Sequence, residues 1–170
     1  MQIIDDFLDP DTFNTLRTYM MSSKMPWFYN PYVTRKEDTH HLNEFQFTHM
    51  FLSFRQGPSP IYKRIMPLLD KINPLRTIRV KANLNTRTNE IETRDFHTDV
   101  IGTESFTSIY YINTNNGYTS FESGCTVPSK ANRLLTFNSN QRHTGTTCTD
   151  EKVRIVININ YYSKPTISIK

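Results

Sequence analysis

Phe96-His97-Thr98-Asp99-Val100 is the stretch on which the reading of this chain turns. Strand side chains alternate with period two, so on an extended strand His97 and Asp99 project to the same face. A histidine from a distant strand, His143, completes a set of two imidazoles and one carboxylate, and Arg154 follows it. Two His and one carboxylate make the facial donor set that holds non-haem Fe(II) and leaves coordination positions open. A His-x-Asp tripeptide arises easily by chance in a chain with 5 His, so its weight depends on the pattern around it.

The chain has 170 residues, enough for one domain with a real hydrophobic core. Charged residues make up 21% and apolar residues 36%, which argues against global disorder. No apolar run approaches the length needed to cross a bilayer, and Met1–Asp6 has no basic n-region. The expectation is therefore a cytoplasmic protein without membrane association, a monomer or homodimer. Cys125 and Cys148 match no zinc spacing and no CxxC pattern, so they read as reduced thiols. The net charge of +4 is mild. Lys63, Arg64, Lys71, Arg76, Arg79, Lys81, Arg87 and Arg94 nevertheless cluster in one segment. Solvated cations are the plain explanation for it, and nucleic acid is the less favoured one.

Along the chain, Asp9 is suited to cap a helix, Pro10 to open it, and Phe13, Leu16 and Met20 recur at helical spacing, predicting a helix over 10–22. Trp27, Tyr29 and Tyr32 suggest an aromatic seal of helix against sheet, and His40 and His41 a polar surface loop. A strand is expected at Phe47–Phe54, with His49 a candidate for the mouth of the site. Ser59 and Pro60 then open a second helix through Ile72, kinked or split at Pro67. From residue 77 the pattern becomes β: Ile78, Val80, Ala82 and Leu84 alternate with Arg79, Lys81, Asn83 and Asn85. Strands at Phe106–Asn113, Tyr118–Glu122, Asn132–Phe137 and Lys152–Tyr162 follow, with a turn signal at Asn115-Asn116-Gly117 and an edge strand at Thr166–Ile169. Two helices followed by many short strands predict helices on a β-sandwich or jelly roll.

From about residue 76 to 162 the chain resembles the Fe(II)/2-oxoglutarate-dependent oxygenases, in the prolyl 4-hydroxylase-like branch that many small microbial and phage proteins share. The matching pieces occur in the family's order. They are Arg79–Asn85, His97-Thr98-Asp99, Ser108–Asn113, Gly117–Phe121, Pro128–Phe137, His143-Thr144-Gly145 and Arg154. Ile3–Pro10 also looks like that branch's entry into its first helix. The resemblance implies a single domain with a double-stranded β-helix (a cupin-like jelly roll) over 76–162. Residues 1–75 would support it and 163–170 would form an edge strand, with the host cytoplasm as location if the chain is viral.

It also implies that His97, Asp99 and His143 bind Fe(II). The 2-oxoglutarate co-substrate would chelate the metal, with its distal carboxylate reaching Arg154, helped by a Thr such as Thr136 or Thr146. Oxidative decarboxylation with O2 would give succinate and CO2, and a C–H bond of a peptidyl residue (prolyl-type) or a small metabolite would be hydroxylated. Two departures stand out. The prolyl 4-hydroxylases proper usually use a lysine for the distal carboxylate, so Arg154 points to another sub-branch. Where many relatives carry a co-substrate-binding tyrosine, this chain has Asn83 and Asn85, and Tyr110 or Tyr111 is the alternative source of a phenol. Competing functions are oxidation of a nucleobase or nucleotide, a non-catalytic jelly-roll binding protein, and a cupin-type metal enzyme without 2-oxoglutarate.

Overall fold

Two sheets of unequal size sandwich an inner core in the computed structural model, which describes residues 1–31, 45–99 and 104–163. The strands are β1 (Gln2–Ile4), β2 (Phe28–Asn30), β3 (Gln46–Ser53), β4 (Gly57–Pro58), β5 (Arg76–Thr86), β6 (Ser105–Tyr111), β7 (Tyr118–Phe121), β8 (Thr126–Pro128), β9 (Leu134–Asn138), β10 (His143–Gly145) and β11 (Val153–Tyr162). The large sheet runs β1-β9-β6-β11-β5-β3-β2, with β4 beside β3, and the small one runs β10-β7-β8. All pairings are antiparallel. This is the expected jelly roll. The first 75 residues do more than support it, because β1 extends one edge of the large sheet and β2–β4 the other.

Alternation along β5 and β11 decides which face does what. Val80 and Ala82 on β5, and Ile155, Ile157 and Ile159 on β11, turn outward. There they meet α1 (Pro10–Met20), through Phe13, Leu16 and Met20, and α2 (Met66–Ile72), through Leu68 and Leu69. Ile109, Tyr111, Leu135, Phe137 and Val156 turn inward and pack on Phe121 and Val127 of the small sheet. Burial of a large apolar side chain is worth about 1.5–3 kcal/mol, so the helix-backed face supplies much of the stability. The inner face is thereby free to carry polar groups.

α1 begins as its sequence requires: the Asp9 carboxylate accepts from the Thr12 amide at 3.0 Å, and Pro10 stands in the first turn. The second helical segment is split beside Pro67, one of the two outcomes expected: a 3-10 turn over Tyr62–Ile65 gives way to α2, and Pro67 lies in the first turn of α2, where its missing N–H is not needed. Asn73, at φ 52°, closes α2 in the left-handed conformation. Asn115-Asn116-Gly117 is not a hairpin turn. It carries the chain from β6 in the large sheet to β7 in the small one. Strands β8 and β10, three residues each, are too short for periodicity to reveal. Both cysteines are free, Cys125 exposed and Cys148 buried. Among the described residues no helix is long and apolar enough to cross a membrane. Tyr32, His40, His41 and the expected strand at Thr166–Ile169 lie outside the described residues.

Asn132 fastens the N-terminal segment to the barrel. Its Oδ1 accepts from the Leu8 amide at 2.9 Å and the Tyr110 hydroxyl at 2.6 Å, and its Nδ2 donates to the Leu8 carbonyl at 2.8 Å. Its φ is 62°, which asparagine tolerates better than most residues. Replacement by alanine should cost about 2–4 kcal/mol in denaturant unfolding, since buried partners are left unsatisfied. Asn132→Gly should recover only the backbone share; equal losses in both variants would assign the whole effect to the side-chain bonds.

Candidate metal and anion site

The inner face of the large sheet and the small sheet enclose a cavity of about 810 Å3. His97, Asp99, His143, Arg154, Asn83 and Asn85 all line it. His97 does not sit on a regular strand, as the period-two argument assumed; it forms a single bridge to His143, and Asp99 lies in a bend. The bridge is nonetheless tight: each histidine's amide donates to the other's carbonyl, at 3.0 and 2.9 Å. That exchange fixes the two imidazoles side by side, with ring centroids 4.8 Å apart.

Asp99 straddles the pair. One carboxylate oxygen is 3.8 Å from His97 Nε2 and the other 3.8 Å from His143 Nε2. The three ligating atoms lie within 4.8 Å of one another. His143 Nδ1 faces the carbonyl of Gln141 at 3.1 Å, and His97 Nδ1 faces that of Asp95 at a longer 3.4 Å. In both cases the carbonyl two residues back calls for the proton on Nδ1 and leaves the Nε2 lone pair toward Asp99. The sequence offered no sign of these carbonyl partners.

The protonation states suit a cation. Burial pushes the His143 imidazole down against the pull of Asp99, favouring the neutral ring that a metal requires. Burial alone would push the Asp99 carboxyl up. Arg79, His143, the Asn160 amide and His97 together outweigh it and hold the group below its ordinary range. Arg79 Nη2 donates to Asp99 at 2.9 Å, Asn160 Nδ2 at 3.1 Å and Thr107 Oγ1 at 3.3 Å. Arg79 Nε also donates to Asn160 at 2.9 Å, so the carboxylate is steered by a connected set. Phe137, with its centroid 4.7 Å from that of His143, walls the inner side.

Arg154 is 2% exposed and no carboxylate pairs with it among the described residues. Its Nε donates to Ser129 Oγ at 2.9 Å and its Nη2 to Thr119 Oγ1 at 3.3 Å, while its carbon centre stands 5.7 Å over the Tyr111 ring. Ser129 and Thr119 were not foreseen from the sequence, where isolated hydroxyl residues carry no signal. Two glycines make room. A Cβ on Gly117 would meet the Arg154 Cδ at 2.8 Å, and one on Gly145 would meet its Nη1 at 3.2 Å. A buried charge held only by neutral donors and acceptors is costly until an anion reaches it.

Of the other expected residues, Asn83 and Asn85 stand on the inner face of β5, with Asn85 directly opposite Arg154 on β11. The Asn83 Oδ1 is buried without a hydrogen-bond partner. Tyr110 and Thr136 do not fit the role expected of them. Tyr110 lies on the helix side of the sheet, edge-on to Phe7 and Phe13, and its hydroxyl is committed to Asn132. Thr136 bonds Ser108 Oγ at 2.7 Å, which in turn faces the Tyr161 hydroxyl within the same outer layer. Strand alternation puts Tyr111 inside instead. His49 is also turned away from the cavity, toward the Pro26 carbonyl and Ser59. Trp27 packs against the helix-side core as expected, whereas Tyr29 is exposed.

No protein-family model matches the sequence, and no curated protein matches it. Solved structures do. A prolyl hydroxylase from Trichoplax adhaerens, in complex with a hypoxia inducible factor oxygen degradation domain peptide, superposes with a TM-score of 0.63 at 14% identity, over 95% of this chain and 83% of that one. HygX from Streptomyces hygroscopicus, with nickel and 2-oxoglutarate bound, gives 0.61 at 10% identity over 95% and 82%. A Pseudomonas putida prolyl-4-hydroxylase gives 0.58 at 11% identity over 96% and 92%. The fold is that of the Fe(II)/2-oxoglutarate oxygenases. At such identities the oxygenase likeness speaks for the architecture; the side chains above speak for the site.

One consequence of this oxygenase-type barrel is testable without any ligand. Because Arg154 is buried without counter-charge, Arg154→Met should leave the ligand-free protein as stable as the parent or up to about 2 kcal/mol more so. Thermal and urea unfolding of both proteins measure this. A loss of several kcal/mol would make the guanidinium a structural strut.

Proposed function

We propose that the protein is an Fe(II)- and 2-oxoglutarate-dependent dioxygenase that hydroxylates a C–H bond. The observation carrying this reading is the pairing, in one cavity, of the His97–Asp99–His143 cluster with the uncompensated Arg154 guanidinium. A metal cluster alone fits a cupin enzyme, and a buried arginine alone fits many anion sites. Together they match a co-substrate with a chelating end and a distal carboxylate.

In this reading His97, Asp99 and His143 hold the ferrous ion. With 2-oxoglutarate and O2, that ion supplies oxidative decarboxylation to succinate and CO2 and oxygen insertion into the substrate. The chain's own residues do the arranging. The Gln141 and Asp95 carbonyls keep both imidazoles in the metal-binding tautomer. Arg79, Asn160 and Thr107 orient the Asp99 carboxylate. Arg154 fastens the distal carboxylate as a planar fork, a geometry guanidinium suits better than ammonium. Gly145 leaves the space beside Nη1 through which that carboxylate comes, and Asn83 and Asn85 offer amides along the co-substrate. Phe137, Val156 and Ile109 keep water from the inner end of the cavity, which protects a reactive centre.

The substrate to be oxidised is a peptidyl residue or a small molecule. The nucleotide reading rested on the basic segment 63–94, whose cations disperse: Arg64 covers Tyr19 and Lys71 covers Phe7, while Arg79 and Lys81 point into the barrel.

Anaerobic titration of Fe(II) protein with 2-oxoglutarate should develop a weak visible charge-transfer band, followed in air by uncoupled succinate formation. His97→Ala, Asp99→Ala and His143→Ala should abolish the band. No band and no succinate in the parent protein would end the proposal. Gly145→Ala should weaken 2-oxoglutarate by about tenfold or more, a loss of at least about 1.4 kcal/mol, with Co(II) affinity within about twofold. An unchanged 2-oxoglutarate affinity would place the distal carboxylate elsewhere.

A further inference from the structure

The charges lining the cavity do not all find partners. Arg79 is answered by Asp99, Arg94 by Glu92 at 3.3 Å, and Arg142 by Glu122 at 3.4 Å. Arg154 would be answered by the co-substrate's distal carboxylate, and the metal by Asp99 and the chelating end. Lys81 is left over. It stands on the inner face of β5 between Arg79 and Asn83, half-buried, and no hydrogen bond or ion pair reaches its ammonium among the described residues. The acidic residues lining the cavity are Asp95 and Asp99; the first makes no ion pair with Lys81, and the second is committed to Arg79.

Directly across the strand pair, Lys81 faces Asn158 of β11. The Asn158 Oδ1 is buried with no hydrogen-bond partner. An ammonium with three unspent donors therefore neighbours an amide with an unspent acceptor, inside a cavity of small-molecule size. Burial, and then Arg79, push the Lys81 ammonium down to about 8 against the pull of Asp99. Such a group gains from an incoming anion, because the anion supplies the counter-charge that the fold withholds.

We propose that the substrate to be oxidised is a small acid, and that Lys81 binds its carboxylate or phosphate while Asn158 accepts from a hydroxyl or amine beside it. The proposal rests on the oxygenase reading and narrows it, making Lys81 a specificity-determining residue. An apolar side chain at this position would serve a neutral substrate at no cost in desolvation. A lysine here carries a desolvation cost that an anionic ligand offsets. The cavity's location between the sheets favours a slender acid over a macromolecular surface, since among the described residues Lys81 lines that cavity from the inner face of β5.

The test uses the full chain loaded with Co(II) and 2-oxoglutarate, and two matched probe pairs: N-acetylproline with its amide, and glycerol 3-phosphate with glycerol. Ligand-observed NMR should show at least one acid binding about tenfold or more tightly than its neutral partner, a difference of about 1.4 kcal/mol. The preference should fall below about twofold in Lys81→Met and persist in Lys81→Arg, with 2-oxoglutarate affinity within about twofold of the parent in both. Equal binding of acids and neutral partners would overturn the proposal, as would a preference that survives Lys81→Met. A tenfold loss of 2-oxoglutarate affinity in Lys81→Met would also overturn it, by assigning the cation to the co-substrate. Inorganic phosphate added to the metal-free parent, with the Lys81 ε-carbon signal followed by NMR, separates the two readings. A saturating shift supports the anion site even if no 2-oxoglutarate complex forms, and no shift refutes it.

Discussion

A guanidinium removed from water must be held by whatever surrounds it, and around Arg154 nearly everything is neutral. Ser129 and Thr119 take two of its N–H groups, the Tyr111 ring lies beneath it, and two glycines clear the space at its shaft and its tip. Five elements of chain are thus shaped around one side chain. The crossing from the large sheet to the small one passes through Gly117 because a Cβ there would strike both the Thr147 carbonyl and the arginine. The arrangement sacrifices stability at its centre, since desolvating a charge costs several kcal/mol that hydroxyl partners only partly return. A fold keeps such a feature when binding supplies the missing charge.

That sacrifice is tolerable because the two faces of the large sheet are divided between separate tasks. Along β5 and β11 every second residue is aliphatic and meets the helices, and the intervening residues are Arg79, Lys81, Asn83 and Asn85, or Arg154, Val156, Asn158 and Asn160, all polar or charged except Val156. Register does the rest: β11 pairs with β5 so that Asn160 meets Arg79 at the end beside Asp99 and Arg154 meets Asn85 at the other. A one-residue slip would exchange the faces, placing charge against the helices and aliphatics in the cavity. The outer core therefore also enforces the geometry of the site, and Asn132 helps by tying the N-terminal segment across the same layer.

The features most visible in the sequence were those with a period or a special residue. Alternation on β5 and β11 announced both strands and their inward faces. Asp9-Pro10 announced the first helix, and the donor types at 97, 99 and 143 announced the cluster. What stayed hidden has physical reasons. Strands of three residues such as β10 are defined by their partners, not by their composition, so the His97–His143 exchange had no local signature. Which of Tyr110 and Tyr111 faces inward depends on sheet packing, because both are aromatic and both are buried. Thr136 was misplaced for the same reason: adjacent strand residues differ in face, and a threonine suits either. Ser129 and Thr119 acquire meaning only when Arg154 is brought to them.

The same reasoning accounts for a chain that superposes on prolyl hydroxylases and HygX at 10–14% identity while no family model matches its sequence. The barrel demands alternation, which many residue types satisfy, and a helix-backed outer core, which tolerates volume-conserving exchange. The His97, Asp99 and His143 cluster and Arg154 need only a few side chains at fixed places. Between these lie positions on which neither constraint fixes identity. A cavity position can change type as well, since several residue types can supply a hydrogen bond or a charge at the same place on a strand. Asn83, Asn85 and Arg154 line the cavity from two adjacent strands, and nothing in the alternation of those strands dictates which polar residue stands there. Likeness in such a chain resides in the direction of side chains more than in their names, and a comparison of coordinates detects direction where a comparison of letters does not.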